Sequence, residues 1–288
     1  MITNNFNLPE PLFKALSRDR YAPIAGRISA TALIEAPLQR VLLMKYTDHI
    51  VEDASEKLFA LLGQAVHKVI ELRGSKEVSE LKQICKHDSG ATLVTIGDYY
   101  AEQVITDWKL VSVWMYLLGG KISWTRQLNV VRYIYEKCGL PVKQAQVYAI
   151  FRDWTKNKSY ERDYPDIPFA EYKIKLWSDE ELHKYIDERV AAHLFAESLI
   201  DSIPNIPICS EEERWQRPTT YAVKRKGIKK AMRVLETMAL AEEWLSKQKD
   251  KGLYIETRAG LAMKCQNYCP TSQFCEFYKT LPIDGQEG

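Results

Sequence analysis

The chain has 288 residues, 46% apolar and 27% charged, which supplies apolar mass for a packed core and argues against global disorder. Its formal net charge of +2 excludes a wholesale basic coat, so any contact with nucleic acid must come from local patches. No apolar segment follows a basic start, and the longest apolar run, VSVWMYLLGG, is too short to span a bilayer; neither a secretory leader nor a membrane is expected, and the expected setting is a cytosol.

In chain order, residues 1–25 hold three prolines and little periodicity, and read as an irregular lead-in. SATALIEAPLQRVLL reads as a short helix capped by Ser29 or Thr31. EDASEKLFALLGQAVHKVIELRG reads as a long helix, opened by Asp53, Ser55 and Glu56 and stopped by Gly74. Its apolar stripe is Leu58, Leu61, Leu62, Ala65, Val66, Val69 and Ile70. ATLVTIGDYY and EQVITDWKLV are β-rich with a short turn between them, which predicts a hairpin. SWTRQLNVVRYIYEKCG predicts a helix capped by Ser123 and ended by Gly139; KQAQVYAIFRDW and PFAEYKIKLW predict strands. SDEELHKYIDERVAAHLFAESLI predicts a helix with a Ser178/Glu181 capping box. Helices and strands thus intermix over residues 1–203, and the expected class is mixed α/β, a central mixed sheet flanked by helices.

Two prolines in SIPNIPICSEEERW mark a change of character. Residues 204–288 read as a small accessory region: a β-hairpin turning at Lys226-Gly227, a helix, a strand and a loop-like cysteine tail. The hairpin carries Lys224, Arg225, Lys226, Lys229, Lys230 and Arg233, which either track a phosphate backbone or protect a soluble sheet edge. Trp215 and Tyr221 read first as filling of a small core and second as platforms for unpaired bases.

The chemistry concentrates in IGDYYAEQVITDWKLVSVW. Side chains alternate along a strand, so Asp107 and Lys109 share a face. An acid on a strand edge suits Mg²⁺ or Mn²⁺, and an ammonium beside it can orient or deprotonate an attacking water. Asp98 meets them from the neighbouring strand. His67 lies on its helix opposite the apolar stripe, with Gly63 one turn before, a residue that costs a helix interior roughly 1 kcal/mol unless that face approaches something closely. Each residue alone has an ordinary explanation as turn, solvated face or amphipathic position. Their order, GQAVH, IGDYY, DWK and QLNVV, is far more specific.

In that order the chain resembles the PD-(D/E)XK nuclease superfamily, in its RecB-type branch with phage exonucleases and CRISPR-adaptation nucleases. The resemblance covers roughly residues 26–155. It implies a restriction-endonuclease-like core, a Mg²⁺ or Mn²⁺ held by His67, Asp98 and Asp107, Lys109 supporting the attacking water, and Gln127 orienting Lys109 or the DNA. The implied reaction is hydrolysis of DNA phosphodiester bonds, from DNA ends, in phage-type recombination, repair or processing. A bacterial host cytosol is the implied location, and a recombination or single-strand-binding protein is the kind of partner such a role would bring. An endonuclease on the same core, and a non-catalytic DNA-binding or scaffold protein, are the alternatives. The chain departs from the family pattern in two places: Val131 stands where the family carries Tyr, with Tyr133 and Tyr135 out of step, and Gly97 stands where it carries Pro.

Of six cysteines, Cys265, Cys269 and Cys275 lie within eleven residues, a spacing suited to zinc or an iron–sulfur cluster. Cys209 is the candidate fourth ligand; Cys85 and Cys138 read as plain thiols. In the family such a trio joins an N-terminal cysteine to hold a [4Fe–4S] cluster. Ala36-Pro37 occupies that region here, so the expected set is Cys209, Cys265, Cys269 and Cys275, with [4Fe–4S] favoured over zinc and a structural role for the cluster.

Overall fold

The computed structural model describes residues 1–17, 22–73, 79–250 and 252–281. The chain divides into two compact units, Met1–Pro207 and Ile208–Gly288.

In the first unit the proline-rich lead-in is not wholly irregular. A short strand, Ile2–Thr3, pairs in parallel with Glu52–Asp53, and Glu10–Leu16 is helical. Strand β1 (Arg27–Ser29) runs into helix α1 (Ala30–Ile34), where the Ser29 hydroxyl accepts a hydrogen bond from the Ala32 amide at 3.1 Å. The single helix expected here is two. Pro37 disfavours helical backbone at Ala36 and has no N–H to donate, so the chain breaks and restarts as α2 (Pro37–Tyr46) with proline in its first turn. Helix α3 (Leu58–Arg73) follows a 3₁₀ turn in which Asp53 caps Ser55. Gly74, its expected stop, lies outside the described residues. No described residue of α3 is fully buried: Leu58, Leu61, Val66 and Ile70 are half-buried, whereas Leu62, Ala65 and Val69 of the expected core stripe are exposed. A side chain at Gly63 would meet nothing, so packing within the protein does not demand glycine there.

Strand β2 (Ser79–Lys86) was not legible in the sequence, because its outward positions mix Lys82 and Lys86 with an exposed Ile84 and blur the period of two. It pairs antiparallel with β3 (Thr92–Ala101), which turns through Glu102 and Gln103, both at positive φ, into β4 (Val104–Val111). Two positive φ values match the twist of a tight hairpin. Helix α4 (Ile122–Lys137) starts one residue before the expected cap, so Ser123 lies inside it, and Gly139 at φ +81° follows its end. Strands β5 (Gln144–Phe151) and β6 (Phe169–Ile174) complete a six-stranded mixed sheet in the order β1-β3-β4-β5-β6, with β2 also on β3; β1–β3 and β4–β5 are the parallel pairs. Helix α5 (Asp179–Ser198) opens with the Ser178/Glu181 capping box, its two hydrogen bonds 3.1 and 3.0 Å long.

The core lies where α1, α4 and α5 cover the sheet. Leu33, Leu128, Ile134, Tyr135, Leu182 and Ile186 pack with Leu93, Ile105 and Val147. Full burial of such an aliphatic side chain contributes roughly 1.5–3 kcal/mol each, so this layer fixes α4 against β4. A polar knot ties α2 to α5: buried Arg40 donates to Glu197 at 2.7 Å and to the Ile24 and Arg27 carbonyls.

The second unit is built on an antiparallel sheet of β7 (Thr220–Arg225), β8 (Arg233–Leu235) and β9 (Leu253–Arg258), ordered β8-β7-β9, with α6 (Met238–Ser246). The cysteine tail is not the loop that was expected: α7 (Met263–Asn267) and α8 (Glu276–Lys279) are short helices within it. Among the described residues no helix is long and apolar enough to cross a membrane.

Candidate active site

Strands β3 and β4 are paired only at their turn, through Tyr99↔Thr106, Tyr100↔Ile105 and Ala101↔Val104. Beyond it they part, and Asp98 fills the fork: its Oδ2 accepts a hydrogen bond from the Trp108 amide at 2.8 Å. Ile105 points into the core beneath α4, so two residues on Asp107 is buried in the same layer, and Lys109 follows on that face. The Lys109 ammonium lies 3.0 and 2.8 Å from the two Asp107 oxygens. Gln127, in the first half of α4, donates to Asp107 Oδ1 at 3.4 Å. His67, on α3, brings Nδ1 to 3.3 Å from Asp98 Oδ2. The fold therefore brings together His67, Asp98, Asp107, Lys109 and Gln127 from two helices and two strands.

One further residue joins them. Glu80, near the start of β2, sits between the pairs Ser79↔Tyr99 and Leu81↔Gly97, and its φ of +51° breaks the extended strand beside Asp98. Among the described residues, His67, Glu80 and Asp98 form a group whose ligand atoms all lie within 4.8 Å of one another. Asp107 stands beside that trio, engaged by Lys109 and Gln127. No sequence signal marked Glu80, because the strand that carries it was itself hidden.

The charges gathered here are ones that a divalent cation could balance. Burial raises Asp107 above the ordinary carboxylate range, with Lys109 pulling it down and Asp98 pushing it up. Glu80 is raised by burial and then by the charge of Asp98. The hydrogen bond to Asp98 raises His67 against the opposing effect of burial. Three carboxylates thus crowd one imidazole and one ammonium. The donor set, one imidazole nitrogen with carboxylate oxygens, is of the type that Mn²⁺ and Mg²⁺ accept.

Gly97 and Tyr135 meet in space. A side chain at Gly97 would land on the hydroxyl of Tyr135, a fully buried residue of α4 whose Oη donates to the Leu81 carbonyl at 3.3 Å. Val131 is buried in the core and cannot contact a substrate.

The four candidate cysteine ligands all belong to the second unit and are half-buried. Burial pushes the Cys209 thiol up to about 12, with the charges of Glu213, Cys275, Cys265 and Cys269 acting in the same direction. Cys265 is also raised, by burial first and then by Cys269 and Cys275. Cys85 and Cys138 belong to the first unit, where burial pushes Cys85 up to about 11. The basic hairpin is partly neutralised: Lys224 pairs with Glu256 at 2.7 Å and Arg225 with Asp250, whereas Lys226, Lys229, Lys230 and Arg233 are exposed. Trp215 is 49% exposed and packs on Tyr268 at 5.3 Å, so it is not core.

Among solved structures, the crystal structure of SSO0001 is similar at a TM-score of 0.46 and 17% identity, over 72% of this chain and 89% of that one. The crystal structure of a phage-related exonuclease from Haemophilus somnus 129PT is similar at 0.38 and 16% identity, over 62% and 96%. No protein-family model and no curated protein matches the chain.

Proposed function

We propose that the chain is a divalent-metal-dependent nuclease that hydrolyses phosphodiester bonds in DNA, on a RecB-like PD-(D/E)XK core, and that it works from DNA ends. The observation that carries this reading is the gathering of His67, Glu80 and Asp98 within 4.8 Å beside the Asp107–Lys109 pair. A structural salt bridge would need Lys109 and Asp107 alone; it would not need two further carboxylates and an imidazole converging from α3, β2 and β3.

His67, Asp98 and Asp107 would hold Mg²⁺ or Mn²⁺, with Glu80 completing the anionic wall. The bound ion would supply Lewis acidity toward a phosphate oxygen and lower the pKa of a water. Lys109, fixed by Asp107, stands where an ammonium can orient that water and offset charge building on the phosphate. Gln127 holds the Asp107 carboxylate from the α4 side and so keeps Lys109 in register. Lys226, Lys229, Lys230 and Arg233 are the candidate contacts to the DNA backbone. In the second unit, Cys209, Cys265, Cys269 and Cys275 would hold a [4Fe–4S] cluster. The charge effects among these thiols support one shared site, and a tetrahedral zinc on the same four sulfurs is the alternative.

End-labelled linear single- and double-stranded DNA, with and without Mn²⁺, tests the reading beside Asp107→Ala. Cleavage that needs the metal and disappears in the variant is expected, with closed circular DNA left intact. Cleavage that survives the substitution, or none with any metal, overturns it.

A further inference from the structure

Arg214 is a buried cation without an ion-pair partner among the described residues. It is 9% exposed, and its Nε makes no hydrogen bond. The ring of Phe277 lies against it, its centroid 4.3 Å from the guanidinium carbon. An anion sharing the site would stabilise a guanidinium held in such a place.

The surroundings say which anion. Arg214 donates its amide to the Ser210 carbonyl at 2.9 Å, one residue after Cys209. Its own carbonyl accepts from the Lys264 amide at 3.0 Å, one residue before Cys265. The Lys264 carbonyl in turn accepts from the Cys269 amide at 2.8 Å. Phe277, beneath the guanidinium, is two residues after Cys275. Arg214 therefore joins all the segments that carry the four thiols. A cation–π contact with one Phe is weaker than an ion pair and does not replace a counter-ion. Four thiolates outweigh the charge of an oxidised iron–sulfur cube or of a zinc ion, so a loaded centre is net anionic.

We propose that Arg214 is the buried counter-charge of an anionic metal–thiolate centre on Cys209, Cys265, Cys269 and Cys275. This rests on the metal-site reading given above. The residue acts through the centre, as a positioning and tuning group. A loaded centre of four thiolates would set a net negative charge against the Arg214 guanidinium.

The test uses the full chain purified anaerobically with its cluster, and the same chain stripped by chelator, in three forms: wild type, Arg214→Met and Arg214→Lys. Bound iron and zinc per chain, the midpoint potential of the cluster and the thermal midpoint of each form are measured. Arg214→Met is expected to shift the potential to more negative values and to lose metal to chelator at least tenfold faster, with Arg214→Lys restoring most of both. It is also expected to destabilise the loaded chain while leaving the stripped chain as stable as wild type, or more so. A merely structural arginine would weaken both forms alike, and that result, or an unchanged potential and chelation rate, overturns the role of Arg214. A wild-type chain that holds neither iron nor zinc, or whose metal survives Cys269→Ser, overturns the metal-site reading itself and this proposal with it.

Discussion

At the residue scale, the chemistry rests on how Asp107 is held. Its folded pKa is raised by burial, so the folded chain binds that proton more tightly than the unfolded chain does. The corresponding stability is fully present below the ordinary carboxylate range and is lost as pH rises through the raised folded value. At neutral pH without divalent metal, Asp107→Asn is therefore expected to raise the urea midpoint, even as it removes cleavage. Lys109, 25% exposed in its side chain, can be hydrated once its partner is gone. Lys109→Ala is expected to lower kcat by about 10²–10³ with little change in DNA affinity, the size of effect that follows loss of one charge-stabilising donor. Single-turnover rates and a binding isotherm separate the two. Glu80→Gln is expected to weaken Mn²⁺ binding while leaving the fold intact, since Glu80 is exposed and its side chain packs no core. His67, Asp98, Asp107, Lys109 and Gln127 were legible in the sequence because each sits in an ordered motif with its neighbours. Glu80 and Arg214 were not, because their meaning comes from partners distant in the chain.

At the element scale, the site is a fork between β3 and β4 that α4 closes from the core side. Gly97 is central to that closure, since any side chain there collides with the Tyr135 hydroxyl. Gly97→Ala is expected to cost about 1–3 kcal/mol, as overpacking does, and a Tyr135→Phe second change is expected to recover part of it. Denaturant unfolding of the three variants measures this. The β3–β4 hairpin, α4 and α5 were legible from alternation, helical period and the Ser178/Glu181 box. The break between α1 and α2 was legible only in hindsight, since Pro37 sits inside an apolar run that itself favours continuity. Helix α3 shows the limit of the helical stripe as a guide: the period is present, yet Phe59, Leu62, Val69 and Leu72 face outward. Periodicity reports an amphipathic helix and does not say what covers its apolar side.

At the scale of the whole molecule, His193 is expected to help set the acid limit of the first unit. It is fully buried on α5, its Nε2 lies 3.3 Å from the Leu33 carbonyl, and burial with the charges of Arg189 and Arg40 lowers it to about 3. The unfolded chain takes up a proton near 6.5 and the folded chain does not until about 3, so this contribution is whole above 6.5 and is lost as pH falls between those values. Urea midpoints are expected to fall across that window, and His193→Gln to flatten the dependence. The central claim is that His67, Glu80, Asp98 and Asp107 form a divalent-metal centre. Its most direct test is a calorimetric titration of Mn²⁺ into the chain, beside Asp98→Asn. Saturable binding that vanishes or weakens by at least about tenfold in the variant is the result this account predicts; binding that is absent in wild type, or unchanged by the substitution, contradicts it.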